Sequence, residues 1–217
     1  MNREEVRACI QEIGIFPGLR FDSADDALYC AEILYNAGVP VAEITMTVPG
    51  AIEVIRQLAV KFPQMVVGAG TVLDNETAQR CLGAGARFIT STGFVPDVVA
   101  TTLQANVVAI PGALTPTEVI ACWRAGADFV KIFPAASIGG ELYIRSLKLP
   151  LPQVRIIATG GISQQTATGY IRAGAAALGV GTELMPKDAV ARRQEHRIRE
   201  LARRFLGFVS EGRSLNT

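Results

Sequence analysis

The segment that decides the fold is "RIIATGGISQQTATGYIRAGAAALGVGTEL", residues 155–184. It begins with a short β-rich run, 155–161, and ends with a second one, 176–181, before the final turn. Between them an amphipathic stretch opens at Ser163 and closes on Ala173-Gly174-Ala175, where glycine supplies a left-handed helix stop. Strand, helix and strand in this order predict a βαβ unit with two parallel strands.

The same alternation fills the rest of the chain. Six further β-rich runs precede this segment, each followed by a helix-like stretch: residues 15–20, 40–47, 65–72, 87–93, 107–113 and 129–135. Eight evenly spaced strand–helix units without a linker predict an α/β protein, one domain over residues 1–217, folded as a (β/α)8 TIM barrel. A doubly wound open sheet is the alternative, and the positions of the polar residues favour the barrel.

The composition is that of a globular protein, with 217 residues, 49% hydrophobic and 19% charged. A formal net charge of +1 gives no electrostatic basis for binding nucleic acid or an anionic membrane surface. No apolar run approaches the roughly 20 residues of a membrane span, and the N-terminal "MNREEVRACIQEIG" has no apolar signal core. The four cysteines are scattered, without a C-x-x-C pair. These features predict a cytoplasmic protein with reduced thiols.

A lysine stands in the middle of the sixth predicted strand, within "FVKIFPA", residues 129–135. Lysine is almost never fully buried unless it is paired, because an unpaired ammonium in a low dielectric is costly. Since side chains alternate along a strand, Lys131 shares one face with Phe129 and Phe133. In a barrel that face points to the interior, and we expect a carboxylate in the same cavity.

The second predicted strand supplies that carboxylate. Glu43, Thr45 and Thr47 share one of its faces, whereas Ile44 and Met46 point towards the helices. This pattern suits a barrel whose interior is polar near its mouth, and the active site of a TIM barrel lies at the carboxyl ends of the strands. We therefore expect five polar side chains to converge there: Arg20, Glu43, Thr45, Thr71 and Lys131.

These residues also have structural interpretations. Lys131 and Glu43 would form a buried ion pair, although such pairs are seldom better for stability than apolar residues of similar volume. Arg20 would be solvated at the rim, and the threonines alone decide nothing. The only histidine, His196, is expected on a solvated helix face in the charged C-terminal segment, so an imidazole cluster for a metal is excluded.

Glycine-rich turns end the last two predicted strands, "ATGGIS" at 158–163 and "GVGTEL" at 179–184. Glycine lets the backbone approach an oxyanion, and we expect the N–H groups of Ile162, Gly181 and Thr182 to lie near helix N-termini. Phosphate frequently binds after strands 7 and 8 of a TIM barrel. The two turns together predict a phosphate site.

A lysine in the mouth of a barrel indicates amine chemistry. Desolvation favours the neutral amine, which attacks a ketone to give an iminium ion, an electron sink for carbanion chemistry. With a carboxylate as proton shuttle, the two groups suffice for retro-aldol cleavage without a metal. The residues thus predict a Schiff-base lyase or related enzyme that acts on a phosphorylated small molecule. A phosphate-binding barrel with another reaction, such as an isomerase or synthase, and a non-catalytic ligand-binding barrel are the alternatives.

Six segments resemble the bacterial 2-keto-3-deoxy-6-phosphogluconate (KDPG) aldolases, also described as 4-hydroxy-2-oxoglutarate aldolases. They occur in order and cover roughly residues 14–190. The segments are "EITMTVPGA" (43–51), "VVGAGTVLD" (66–74), "IPGALTPTE" (110–118), "DFVKIFPA" (128–135), "ATGGIS" (158–163) and "ALGVGTELM" (177–185).

The resemblance implies a homotrimeric class I aldolase that needs no cofactor. Its substrate would be a phosphorylated 2-keto-3-deoxy sugar acid of the gluconate or galactonate series, or 4-hydroxy-2-oxoglutarate, and its products pyruvate and an aldehyde. Lys131 would be the Schiff-base lysine and Glu43 the general acid and base. The other site residues form a substrate set, Arg20, Thr45, Thr71, Pro111 and Phe133, and a phosphate set, Gly160, Gly161, Ile162, Gly181 and Thr182.

Two positions depart from the family pattern. Thr47 stands where some members carry an arginine, and we expect Arg20 to replace that arginine in binding a substrate carboxylate or phosphate. Ser91-Thr92-Gly93 stands where Ser-Pro-Gly is common, and that proline helps to shape the wall beside the ketoacid. Both positions bear on the substrate range.

Overall fold

A computed structural model describes residues 1–215 and confirms the predicted TIM barrel. All strand pairs are parallel, and the strand order is β5-β4-β3-β2-β1-β9-β8-β7-β6. The strands are β1 Ile15–Leu19, β2 Val41–Thr45, β3 Val66–Gly70, β4 Phe88–Thr90, β5 Val108–Ile110, β6 Gly112–Ala113, β7 Val130–Ile132, β8 Ile156–Thr159 and β9 Ala175–Val180.

Helices follow the strands on the outside of the barrel, and α1 precedes the first strand. The α-helices are α1 Arg3–Ile13, α2 Ala24–Asn36, α3 Ala51–Lys61, α4 Asn75–Gly83, α5 Pro96–Gln104, α6 Pro116–Arg124, α7 Gly140–Lys148, α8 Ala167–Arg172, α9 Lys187–Ala191 and α10 Glu195–Ser214, with a 3₁₀ turn at Ala136–Ile138. His196 is exposed on α10, as expected. No helix in the described chain is long and apolar enough to cross a membrane.

The fifth predicted strand, 107–113, is divided at Pro111 into β5 and β6. Proline has no N–H to donate to a ladder, so it interrupts the strand. β5 pairs with β4 and β6 pairs with β7, which closes the barrel through the chain itself. The count of nine strands instead of eight therefore comes from this one interruption and leaves the eight βα units intact.

The barrel interior is apolar at its amino-terminal end and polar at its mouth. Val6 and Ile10 of α1 pack into the apolar end together with interior side chains of the strands: Phe16, Val41, Val66, Phe88, Val108, Ile110, Phe129, Ile157 and Ala177. Four buried polar side chains lie above this layer: Glu43, Thr45, Thr90 and Lys131. The sealed lower end leaves the carboxyl ends of the strands as the entrance to the interior.

A buried carboxylate fastens α1 to that lower end. Asp128 accepts hydrogen bonds from the backbone N–H of Ala109 at 2.9 Å and from Nε of Arg3 at 3.0 Å. The side chain of Asp128 is 2% exposed, so its charge is shielded from water and depends on these donors. This contact accounts for an acidic residue two positions before β7.

Candidate active site

A cavity of about 810 Å³ opens at the carboxyl ends of the strands. Ten of the twelve predicted site residues line it: Arg20, Glu43, Thr45, Lys131, Phe133, Gly160, Gly161, Ile162, Gly181 and Thr182. Thr71 and Pro111 do not. The site is therefore built from β1, β2, β7, β8 and β9 and from the turns that follow them.

Lys131 and Glu43 face each other at the floor of the cavity. The Nζ atom of Lys131 on β7 lies 2.8 Å from Oε1 of Glu43 on β2, and the two residues are 9% and 4% exposed. The strand alternation placed both side chains in the interior, and the structure brings them into an ion pair. A buried amine beside a carboxylate can exchange a proton with it without involving bulk water.

Glycines on the strands beside β2 provide the space for the Glu43 carboxylate. A Cβ atom on Gly70 of β3 would lie 2.6 Å from Cγ and Oε1 of Glu43, and one on Gly18 of β1 would lie 3.1 Å from Oε2. A side chain at position 70 would thus have to occupy the volume that the carboxylate fills. Glycine at an interior strand position often marks such a close approach.

Thr90 completes the buried polar group and was not among the predicted site residues. It ends β4, is fully buried, and donates its hydroxyl hydrogen to Oε1 of Glu43. Lys131 Nζ lies 3.4 Å from the same hydroxyl oxygen. The sequence feature that could have identified Thr90 is its alternation with Phe88, which also points inward.

Thr71 faces Arg20 and not the lysine. β3 ends at Gly70, and Thr71 has a left-handed backbone with φ 60°. The alternation rule holds only while the chain is extended, so it does not by itself place Thr71 beside Lys131, and the predicted role of Thr71 in binding substrate stays a prediction. Its hydroxyl oxygen accepts a hydrogen bond of 3.4 Å from Nη2 of Arg20, an exposed residue at the rim.

Pro111 also has a different position from the one expected. It is buried in the barrel wall, and its carbonyl oxygen accepts a hydrogen bond of 2.9 Å from the backbone N–H of Lys131. The substrate-binding role predicted for Pro111 stays a prediction, although the residue does not line the cavity. It instead holds the backbone from which the lysine projects.

Thr45 is fixed at the end of β2. Its hydroxyl donates to the carbonyl oxygen of Leu19 at 3.1 Å and lies 2.8 Å from the hydroxyl of Thr47. Thr47 follows the end of the strand and is exposed. The position at which some family members carry an arginine thus forms a neutral hydroxyl pair at the cavity edge.

The glycine turn after β8 approaches its neighbours closely. Gly160 and Gly161 have φ 89° and 80°, and a Cβ on Gly161 would lie 2.5 Å from Cβ of Ala136. Glycine is required here both by backbone conformation and by space. Thr159 and Glu183, which lie within the two predicted turn segments, line the cavity as well and were not among the predicted site residues.

The expected helix N-termini are not adjacent to these turns. α8 begins at Ala167 and α9 at Lys187, several residues after Ile162 and Thr182. A turn in which Ser163 N–H donates to the Thr166 hydroxyl at 3.1 Å precedes α8. The helix starts therefore give no support to the helix-dipole part of the phosphate prediction, and phosphate binding by the glycine backbone of the turns stays a prediction.

A second lysine with a half-buried side chain, Lys148, lies outside the cavity. Nζ of Lys148 donates to the carbonyl oxygens of Pro152 at 2.7 Å and Val154 at 2.8 Å. Desolvation, with a smaller effect of Arg155, lowers the pKa of Lys148. Lys187 lines the cavity but is exposed at its rim. Lys131 alone among these three combines burial with a place in the cavity.

A (β/α)8 barrel with a buried lysine–glutamate pair below glycine turns defines a class of barrel enzymes equipped for amine chemistry on a small molecule. A model of the KDPG and KHG aldolase family matches residues 6–201. The chain belongs to this family, and the predicted family and the predicted lyase class, an aldolase, are confirmed.

Similar proteins agree with this assignment. The 2-dehydro-3-deoxy-phosphogluconate aldolase of Pseudomonas aeruginosa is 30% identical over 203 residues, 94% of this chain and 92% of that protein. The solved KDPG aldolase of Legionella pneumophila, with pyruvate captured as a covalent carbinolamine intermediate, is 29% identical with a TM-score of 0.84, covering 91% of this chain and 96% of that one. The Zymomonas mobilis 2-keto-3-deoxy-6-phosphogluconate aldolase with 3-phosphoglycerate is 29% identical with a TM-score of 0.83, covering 95% and 97%.

Proposed function

We propose that the protein is a class I aldolase that cleaves 2-keto-3-deoxy-6-phosphogluconate to pyruvate and glyceraldehyde 3-phosphate. The observation that carries this proposal is the pair of Lys131 Nζ and Glu43 Oε1, 2.8 Å apart on the floor of the cavity. A buried pair of this kind seldom improves stability over apolar residues, which favours a chemical role.

The reaction begins with Lys131. Its neutral amine attacks the C2 ketone to give a carbinolamine, and loss of water leaves a protonated imine between Nζ and C2. The capture of pyruvate as a carbinolamine in the Legionella pneumophila enzyme supports the same covalent route here. The positive imine then draws electrons from the C3–C4 bond, one carbon away from the imine carbon C2.

Glu43 moves the protons. Its carboxylate takes the proton of the C4 hydroxyl as the C3–C4 bond breaks, so that the C4 oxygen becomes the aldehyde oxygen and the bonding pair enters the enamine. After the aldehyde leaves, Glu43 returns its proton to C3, and water hydrolyses the imine to release pyruvate and the free amine. No step consumes an oxidant or a metal ion.

The two ends of the substrate are assigned to two different sets of cavity residues. Gly160, Gly161, Ile162, Gly181 and Thr182 line it and would hold the phosphate. The Zymomonas mobilis enzyme, which is solved with 3-phosphoglycerate, supports a phosphorylated ligand. Arg20, in place of the arginine missing at position 47, would bind the carboxylate, and Thr45 and Phe133 would complete the wall.

Reductive trapping tests the covalent step. Borohydride treatment with pyruvate should add a stable adduct to Lys131, read by peptide mass spectrometry, and Lys187→Ala should leave the adduct in place because Lys187 is exposed at the rim. An adduct on Lys148 or Lys187, or no adduct at all, contradicts the mechanism. Values of kcat/KM for the gluconate and galactonate phosphates and for 4-hydroxy-2-oxoglutarate then identify the preferred substrate.

We also propose a homotrimer, on the strength of the family resemblance. Light scattering coupled to gel filtration should give three times the chain mass of 23.1 kDa. A monomeric mass at micromolar concentration contradicts it.

A further inference from the structure

We propose that Thr90 is a positioning residue that holds the Glu43 carboxylate in place throughout the reaction, an inference that rests on the proposed aldolase function. Thr90 is fully buried at the end of β4 and donates its hydroxyl hydrogen to Oε1 of Glu43. It does not line the cavity, so it acts through Glu43 and not on the substrate.

The hydrogen bonds give the two carboxylate oxygens of Glu43 different roles. Within residues 1–215, both hydrogen bonds that Glu43 accepts end on Oε1, one from Thr90 and one from Lys131. Oε2 points towards Gly18, which has no side chain. A Cβ atom at that position would lie 3.1 Å from Oε2. Oε1 is thus anchored, and Oε2 is the oxygen left to exchange a proton with the substrate.

The Lys131 anchor cannot persist unchanged through the reaction. A free ammonium carries three N–H donors, whereas a protonated imine carries one and is bonded to the substrate carbon. As the amine becomes an imine, it loses two of these donors, and the C=N bond fixes the direction of the one N–H that remains for Oε1. The hydroxyl of Thr90 takes part in no covalent step, so it can hold the carboxylate while the lysine is occupied.

The hydroxyl of Thr90 has no evident structural task. Its two partners in the described chain are Glu43 Oε1 and Lys131 Nζ, both in the site. By contrast, the buried Thr102 donates to the backbone oxygen of Val98, one turn earlier in α5, which is an ordinary local contact. Valine has nearly the shape of threonine, and it would fill the position of Thr90 if only packing mattered.

Isosteric substitution tests the role. Relative to the wild-type enzyme, Thr90→Val should lower kcat by about 10- to 100-fold, as expected when a proton-transfer group is displaced. The KM should stay within about 3-fold, and pyruvate should still be trapped on Lys131 by borohydride, because the amine is retained. Thr90→Ser, which keeps the hydroxyl, should recover kcat to within about 3-fold of wild type.

Thr102→Val is the matched control, since it also removes a buried hydroxyl but outside the site. It should leave kcat within about 2-fold of wild type. Melting temperatures of all variants separate loss of fold from loss of function, and Thr90→Ser keeps the test decisive if Thr90→Val does not fold.

The proposal is overturned if Thr90→Val keeps kcat within 2-fold, if Thr90→Ser is as slow as Thr90→Val, or if trapping at Lys131 falls in parallel with kcat. A wild-type protein that neither cleaves the substrate nor traps pyruvate overturns the aldolase function and this role together. An active wild type with an unaffected Thr90→Val overturns the positioning role alone.

Discussion

Lys131 Nζ on β7 lies 2.8 Å from Glu43 Oε1 on β2, although 88 residues separate them in the chain. Both side chains come from the interior faces of strands on opposite sides of a polar barrel mouth. The carboxylate occupies space that a side chain at position 70 would take, and Gly18 leaves further room beside Oε2. Glycines on two neighbouring strands thus make room for one buried ion pair. Since such a pair seldom adds stability, this arrangement favours a catalytic role over a stabilising one.

Removing the lysine should separate activity from stability. Lys131→Ala should reduce cleavage to the background rate, because no other amine in the cavity is buried. It should also cost about 3 kcal/mol of the free energy of unfolding, because it leaves a buried carboxylate unpaired. Chemical denaturation and steady-state assays check both effects.

The double variant Lys131→Ala/Glu43→Gln should recover much of that free energy without recovering activity, because a neutral amide is less costly to bury. A Lys131→Ala variant that retains turnover would exclude the Schiff-base route.

Filling the space beside the carboxylate should impair catalysis without removing a functional group. Gly70→Ala would bring a Cβ to 2.6 Å from Cγ and Oε1 of Glu43, so the carboxylate must move. We expect kcat to fall by about 100-fold while borohydride trapping of pyruvate persists. Gly207→Ala on α10 is the control, because its Cβ would meet nothing within 4 Å. If both variants keep wild-type kcat, the position of Glu43 is not critical.

Arg20 should contribute to binding more than to the chemical step. It is exposed at the rim and is held by Thr71 at 3.4 Å, so its loss should not disturb the buried pair. Arg20→Ala should raise KM by about 10-fold or more with a smaller change in kcat, as expected when binding energy is lost equally from ground and transition states.

Thr71→Val should have a milder effect on KM than Arg20→Ala, because it removes only the supporting hydroxyl. Steady-state kinetics on the preferred substrate measure both variants. Unchanged KM in Arg20→Ala would contradict the replacement of the missing arginine.

The barrel could be predicted because its signals are local and repeated. Each unit contains an apolar run and an amphipathic stretch, and several helices end in an Ala-Gly step such as Ala173-Gly174-Ala175. The interior position of Lys131 and Glu43 followed from alternation within strands, which is reliable while the backbone is extended.

The misses lie where that regularity ends. Thr71 has a left-handed backbone just past β3, and Pro111 interrupts a strand. The turns after β8 and β9 are longer than expected, so the helices begin several residues later. Thr90 was missed for another reason: its strand has three residues, so its alternation with the inward-facing Phe88 is a single repeat. These features depend on contacts between distant segments, and such contacts cannot be read from a single sequence.

The capping box of α6 should make stability depend on acidity. Glu118 accepts hydrogen bonds from the backbone N–H groups of Thr115 at 2.7 Å and Leu114 at 2.8 Å, and these donors lower the pKa of its carboxyl below the ordinary 4.5. A carboxyl whose pKa is lower in the folded state stabilises the protein above the unfolded-state value, and this contribution is lost as the pH falls through the folded-state value.

Glu118→Gln should therefore lower the free energy of unfolding by about 0.5 kcal/mol at pH 7, because glutamine keeps the capping-box acceptor and removes only the negative charge at the helix N-terminus. The difference from wild type should shrink below pH 4.5, where the wild-type carboxyl becomes protonated. Urea denaturation at pH 7 and at lower pH checks this, and a difference that grows in acid would contradict it.

The four free thiols should differ in reactivity. Burial raises the pKa of Cys30 and Cys122 to about 12 and that of Cys81 to about 11, whereas Cys9 is half-buried and its pKa is raised by burial and by Glu12. Because the thiolate is the nucleophile, a disulfide reagent at pH 8 should modify Cys9 first in the folded protein. The other three should react only after urea unfolds the chain, and Cys9→Ser should abolish the early phase. Rapid modification of all four thiols in the folded protein would mean that the helices around the barrel open far more readily than their packing implies.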